Sequence, residues 1–321
     1  MPYTTFRSPN LNLTHWRNEQ FSRNLFQGVM DWCNWSILDL GGYQNVSRTQ
    51  ASGLYGGHPA RLRPVQDPNY TNGQVWEANR ADWVWEANVG YSGTAPTVAS
   101  GVYVSGVFYP TVSTTGTYAH HVNFPLGRVV FNTAINTNSI IEADYSYRAV
   151  SFVSSKEPWF TQLLYNSHKI ERSDFLSPTG AWSHLAQARR QMPAVGLELV
   201  NRLTSYPYEI GSLAQYKNQD MLLYVLAEND FDRDQIVDIL TSQVDHTVWL
   251  PDRARIKSYS GYPIDLDYRG SPVSSPMYYP DVISNFSWIP VRVTNAVAQS
   301  IETINSWLYR GVVRMTFQGI I

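Results

Sequence analysis

Met221-Leu222-Leu223-Tyr224-Val225-Leu226-Ala227 is the stretch on which the fold turns. Its seven residues are all apolar, with no alternation to a wet face, so it asks for cover on both sides. A short run of this kind, containing Tyr and Val, reads as a central strand of a sheet. Upstream, Pro193-Ala194-Val195-Gly196-Leu197-Glu198-Leu199-Val200 reads as a second strand. Downstream, Glu228 to Asp234 is acidic, and Ile236, Val237, Ile239, Leu240 and Val244 then recur at helical spacing. Acidic residues in a first turn offset the helix dipole, so a helix is expected over Asp234–Val244. Val291–Glu302 and Leu308–Ile320 read as two long strands around a turn near Asn305.

The N-terminal side adds one long helix. Phe21, Leu25, Phe26, Val29, Cys33 and Ile37 fall near a 3.6-residue period between Asn18 and Leu40, and Asp39-Leu40-Gly41-Gly42 is a stop in which glycine supplies the left-handed cap. From Gly41 to about Pro96 the pattern is loop-like, with Trp76, Trp83 and Trp85 needing cover. The middle is β. Short strands are expected at Val102–Val104, Val107–Tyr109 and, after the turn Pro125-Leu126-Gly127-Arg128, at Val129–Phe131. The clearest is Ile141 to Ala149, where Ile141, Ala143, Tyr145, Tyr147 and Ala149 alternate with Glu142, Asp144, Ser146 and Arg148 as in a half-buried antiparallel strand. Further helices are expected from Pro158 to about Lys169 and from Ala181 to Gln191. Asp252 to Asn285, with Pro263, Pro272, Pro276 and Pro280, reads as a long excursion loop.

The expected class is therefore α+β, a mixed sheet with packed helices carrying an inserted antiparallel β-rich domain. Residues 1–45 supply the first helix of the core, 46–155 the loop and β-rich insertion, and 156–321 the rest of the core with its loop at about 252–285.

Composition narrows the function. Charged residues are 16% of the 321, against about 25% in ordinary soluble domains, while aromatics reach 14%. Interfaces are depleted in Lys and Glu and enriched in Tyr and Trp, so this balance suits a chain that covers its surface with neighbours. A net charge of −2, with basic residues scattered, argues against a nucleic-acid wrapper. The single cysteine, Cys33, excludes an intrachain disulfide framework and lies on the apolar stripe, where it reads as a core thiol. Met1-Pro2-Tyr3-Thr4-Thr5 lacks a secretory pattern and no apolar run reaches membrane-spanning length, so synthesis in the cytoplasm is expected.

Chemistry finds no specific pattern. Asp230, Asp232 and Asp234 begin like a calcium loop, but Gln235 and Thr241 stand where such a loop needs Gly and Glu, leaving an acidic helix start. His120 and His121, adjacent on a strand, point to opposite faces. His15, His58, His168, His184 and His246 show no metal spacing, and the Gly-Gly pairs at 41–42 and 56–57 lack a phosphate-loop pattern. Asp245-His246 with Asp252 has no nucleophile elbow beside it. Arg253-Ala254-Arg255-Ile256-Lys257 is the one locally positive segment and reads as an exposed loop. Asp265 and Asp267 form a carboxylate pair that would suit a glycan hydrolase only if the fold set their separation, and otherwise belong to turn chemistry. No catalytic, cofactor or metal site is expected, and the chain reads as a non-enzyme.

The order of elements resembles the tail terminator proteins of long-tailed bacteriophages. The segments that carry the likeness are Phe21 to Leu40, Gln191-Met192-Pro193-Ala194-Val195-Gly196-Leu197-Glu198-Leu199, Gln219 to Ala227, Asp234 to Val244 and Gly311-Val312-Val313-Arg314-Met315-Thr316-Phe317, roughly a third of the chain. Asn123-Phe124-Pro125-Leu126-Gly127-Arg128-Val129-Val130-Phe131, leading into Glu142-Ala143-Asp144-Tyr145-Ser146-Tyr147, is similar to a β-module recurrent in phage virion proteins. The resemblance implies a virion structural protein of the neck, the head–tail interface. It would be a homo-oligomeric ring, a hexamer, capping the tail tube and joining it to the head connector. Implied partners are further copies of itself, tail tube and sheath proteins, connector or stopper proteins, and non-specific DNA in the lumen. The inserted β-region and the Pro-rich loop depart from a plain terminator, which keeps a collar, baseplate or decoration protein open as the alternative, with a glycan hydrolase behind it.

Overall fold

The computed structural model describes residues 14–49, 59–111, 115–164, 192–210, 214–252, 279, 281–305 and 308–321. The chain starts with helix α1 (Thr14–Asp39) and continues through nine short strands. These are β1 (Tyr43–Val46), β2 (Arg63–Pro64), β3 (Val75–Glu77), β4 (Gly101–Val104), β5 (Val107–Pro110), β6 (His120–Asn123), β7 (Arg128–Phe131), β8 (Ile141–Glu142) and β9 (Tyr145–Arg148). Then come β10 (Ser151–Ser154), α2 (Pro158–Leu164), β11 (Ala194–Pro207), β12 (Gln215–Ala227) and α3 (Asp230–Thr241). β13 (Thr247–Pro251), α4 (Asp281–Phe286), β14 (Ser287–Asn305) and β15 (Leu308–Ile320) close the chain.

One six-stranded mixed sheet, in the order β10-β11-β12-β15-β14-β13, organises the second half. β10 runs parallel to β11 and every other pair is antiparallel. Met221–Ala227 lies on the third strand of the six, as its unbroken apolar run predicts. One face is covered along the middle of the sheet. Met221, Leu223 and Val225 of β12, with Val313, Met315 and Phe317 of β15, are buried beneath Phe21, Leu25 and Val29 of α1 and Ile236, Val237 and Leu240 of α3. Each such side chain contributes about 1.5–3 kcal/mol by leaving water. The other face is covered at one end, where Phe160 and Leu164 of α2 pack on Ala194, Leu226 and Leu308. Leu222 and Tyr224 on that face stay half-buried, so the central strand is sealed on one side and partly open on the other.

α1 ends as its sequence implies. Gly41 takes φ 90°, its N–H donates to Leu38 O at 3.0 Å, and the Gly42 N–H donates to Ile37 O at 2.8 Å. That pairing closes the helix on its own last carbonyls, a conformation glycine adopts without a Cβ penalty.

Several elements are longer or placed differently than sequence reading suggests. β12 begins at Gln215 and β11 runs on to Pro207, through polar residues that hydrophobic patterning passes over. α3 starts at Asp230, so Val244 lies beyond it and is exposed. The stretch from Gly41 to Pro96 holds β1, β2 and β3 within its loops. β13 ends just before the expected excursion loop and α4 falls within its last residues, while 253–278 of that loop and the helix expected at Ala181–Gln191 lie outside the described residues.

The strand expected at Ile141–Ala149 is in fact two. β8 pairs with β4, whereas β9 pairs with β1 in a different sheet. The chain changes sheets at Asp144, whose carboxylate accepts the Arg48 N–H at 2.7 Å. The alternation fails in β9, where Ser146 and Arg148 are buried and Tyr147 is half-buried. Polar partners explain this: the Ser146 hydroxyl accepts the Thr97 N–H at 2.6 Å, and Arg148 donates to Asp82 Oδ1 at 2.6 Å and to Asn34 Oδ1.

Strands β1–β9 enclose a second core. Trp76, Trp83, Tyr145 and Phe131 are its largest fully buried side chains, with Trp83 stacked on Tyr145 at 4.3 Å between ring centroids. The Trp76 and Trp83 indole N–H groups donate to Gly73 O and Arg80 O, each at 2.9 Å, so both rings are buried without an orphaned donor. β10, which follows directly, belongs to the six-stranded sheet.

Candidate interaction surfaces

The residues with chemical potential are dispersed among structural tasks. Asn229 caps α3, its side chain accepting the Asp232 N–H at 2.7 Å, and Asp230 and Asp232 form the first turn. Asp234 is held below the usual carboxylate range by the hydrogen bond and charge of Arg233. Arg233 is itself buried, with its guanidinium 5.6 Å from the centre of the Tyr309 ring. The D-x-D-x-D string is thus a helix start.

Asp245 and His246 do not form a dyad. The Asp245 carboxylate accepts from Arg292 at 2.7 Å, and the His246 ring stacks on Trp32 at 5.2 Å. Cys33 is buried in the main core, and burial pushes its thiol far above the range in which it would ionise. His120 and His121 do face opposite ways, His120 buried and His121 half-buried. Asp265, Asp267, Arg253, Arg255, Lys257, His58, His168 and His184 lie outside the described residues, as does the side chain of His15. Among the described residues no three His, Cys, Asp or Glu side chains come together in a way that would hold a metal ion, and no helix is long and apolar enough to cross a membrane.

What the chain exposes is β-structure. β13 covers the outer edge of β14 as far as Arg292, and Asp245–His246 carry the pairing to Val293. Residues 294–305 therefore pair with β15 on one side and with no strand on the other among the described residues, Arg233 alone reaching the Glu302 carbonyl at 3.4 Å. β10 covers β11 only over Ala194–Leu197, so residues 198–207 are free along their outer edge in the same sense. An unpaired edge presents a row of N–H and C=O groups to any incoming strand. Natural edges are commonly blunted by Lys or Pro, yet residues 294–305 contain neither and their one charge, Glu302, is engaged by Arg310.

Apolar side chains accompany these edges. Val297 is 49% exposed, Ile301 53% and Tyr206 54%, and Trp249 on β13 is 47% exposed. Beside them the open sheet face is polar: Asp220 accepts from Arg314 and from Thr316 Oγ1, and the Tyr224 hydroxyl donates to Glu198 at 2.9 Å. Alternation alone could not reveal these edges, because an edge is a property of which neighbour is missing. The absence of Lys and Pro from residues 294–305 was the available signal.

No protein-family model matches this chain, and no curated protein matches it significantly.

Proposed function

We propose that this chain is a structural virion protein of the head–tail interface of a long-tailed phage, a tail-terminator-like subunit that forms a ring capping the tail tube. The observation that supports this reading most is the six-stranded sheet with part of each lateral edge open among the described residues, flanked on one face by α1 and α3. A subunit of a closed ring needs two different contact surfaces on opposite sides, since each copy meets one neighbour with one surface and the next with the other. Low charge and abundant aromatics support a protein whose work is contact. The reading assigns tail tube and sheath proteins to one end of the ring and connector or stopper proteins to the other. DNA would pass through the lumen with only weak non-specific contact, since a net charge of −2 offers little neutralisation of phosphates. It assigns no chemical step and no cofactor.

Quantitative mass spectrometry of purified particles tests this against the other virion roles. A neck ring predicts about six copies per particle, set by the rotational symmetry of the tube. Copies in the hundreds would make it a capsid decoration protein and end the neck reading.

A further inference from the structure

The two open edges lie at opposite ends of the sheet. Register carries Ala298 to Val313, Val313 to Leu223 and Leu223 to Leu197, so the free part of β14 from Ala298 onward is level with the covered part of β11. The free part of β11, residues 198–207, lies toward the other end, where β13 covers β14. Each side of the sheet is therefore stepped, and the two free segments are of similar length and run antiparallel to one another. A neighbour displaced along the strands by about 13 Å, four residues at 3.3 Å each, brings its free β11 segment against the free β14 segment. β13 and Asp245–His246 then end beside the neighbour's Pro207, and the neighbour's β10 begins beside Thr303, so the joint is confined to the residues between them.

We infer that copies of this chain join head to tail by strand addition, residues 295–302 of one copy pairing antiparallel with residues 198–206 of the next. This names the subunit contact of the ring proposed above and rests on that reading. Side-chain direction selects a register. Val297 pairs with Arg314 and Thr204 with Asn218, which places Val297 and Thr204 on the same open face of the sheet. Opposing Val297 to Thr204 sets Asn295 against Tyr206, Ala296 against Ser205 and Ala298 against Leu203, with no charge in the window. β14 carries extra residues at Thr294, Gln299 and Ile304, and such bulges ordinarily discourage pairing. They leave Asn295–Ala298 regular, and β11 is regular over Leu203–Pro207, beyond its own irregularity between Leu199 and Leu203. The occupant is a second copy because the chain itself carries the complementary edge, similar in length, uncharged where Asn295–Ala298 meets Leu203–Tyr206, and free on the opposite side among the described residues. The joint also covers Val297 and Tyr206. Because the neighbour is displaced along the strands, a closed ring of such joints holds its strands inclined to the ring axis, as strands are in a barrel.

A cysteine pair tests the joint. Directly opposed residues bring Cβ atoms to about 4.5–5.5 Å, within a small adjustment of disulfide geometry. The double variant Thr204→Cys/Val297→Cys, concentrated and exposed to a mild oxidant, should give a ladder of covalent oligomers on a non-reducing gel. Each single variant should remain monomeric, since Cys33 is buried. Absence of a ladder from the double variant overturns the joint, as does a covalent dimer from either single variant, which would indicate a two-fold contact. As a second readout, Val297→Lys should abolish self-association and Val297→Lys/Thr204→Glu should restore it; equal loss in both contradicts the register. A neck ring seen in particles without the 204–297 cross-link overturns the joint alone, whereas a cross-link from a chain located on the capsid overturns the neck reading alone.

Discussion

Arg148 ties the two halves of the molecule together. Its guanidinium reaches Asp82 from β9 and Asn34 on α1, while Ser151 of β10 donates to the second Asp82 oxygen. Arg148 and Asp82 are 6% and 19% exposed at their side chains, so the pair sits where losing one partner strands the other. Arg148→Leu should cost about 3–5 kcal/mol, read as a lowered urea midpoint. Asp82→Leu added to it should recover part of that loss, because the stranded carboxylate is removed with it. His120 gives the chain a pH dependence. Its Nδ1–H faces the Tyr118 carbonyl at 2.8 Å, and Nε2 is buried with no partner among the described residues. Protonation would place a second N–H there without an acceptor, and burial lowers the His120 pKa accordingly. The unfolded chain takes its proton near pH 6.5 and the folded chain resists until lower pH, so this stabilisation is complete above about 6.5 and is lost as pH falls below it. His120→Asn keeps a donor for the Tyr118 carbonyl and removes the titration. Urea unfolding of the two proteins between pH 7 and 5 should show a shallower decline in the variant; parallel declines would contradict the assignment. Neither role is visible in sequence, since Arg148 reads as the wet side of an alternating strand until its partners, 66 and 114 residues away, are brought beside it.

Elements defined by hydrophobic periodicity were legible, and those defined by pairing were not. α1, α3, β12 and the β14–β15 hairpin follow directly from their apolar spacing, because that spacing is what packs them on the main core. β10 and β13 are four and five residues long and carry too few apolar positions to show a period; they exist because β11 and β14 offer them an edge. The interaction surfaces were half legible. The long terminal strands could be proposed as arms from length alone, but which of their edges is free depends on β13 and β10. α2 owes its seat to Gly196 on β11. A Cβ there would stand 2.2 Å from the Phe160 ring, so Gly196→Ala should push α2 off the sheet and cost about 1–3 kcal/mol in denaturant unfolding. An unchanged midpoint would mean that α2 repacks freely.

As a whole molecule, the chain joins a strand-rich unit around Trp76 and Trp83 to a six-stranded sheet with helices on one face. The sheet's second face is covered at one end by α2 and elsewhere shows Asp220, Arg314 and Thr316, a polar surface suited to contacts that form and hold in water. Stability of the isolated subunit rests on the covered face, while in the proposed ring the edges left open among the described residues serve assembly. A ring contact should bury more than about 1,000 Å², the usual floor for a specific interface. The most direct measurement is a cryo-EM reconstruction of the particle's neck. The account predicts a closed ring of this chain between head and tail tube, its sheets continuous from copy to copy through β14 and β11. Single copies on the capsid surface, with no contact between them, would contradict it.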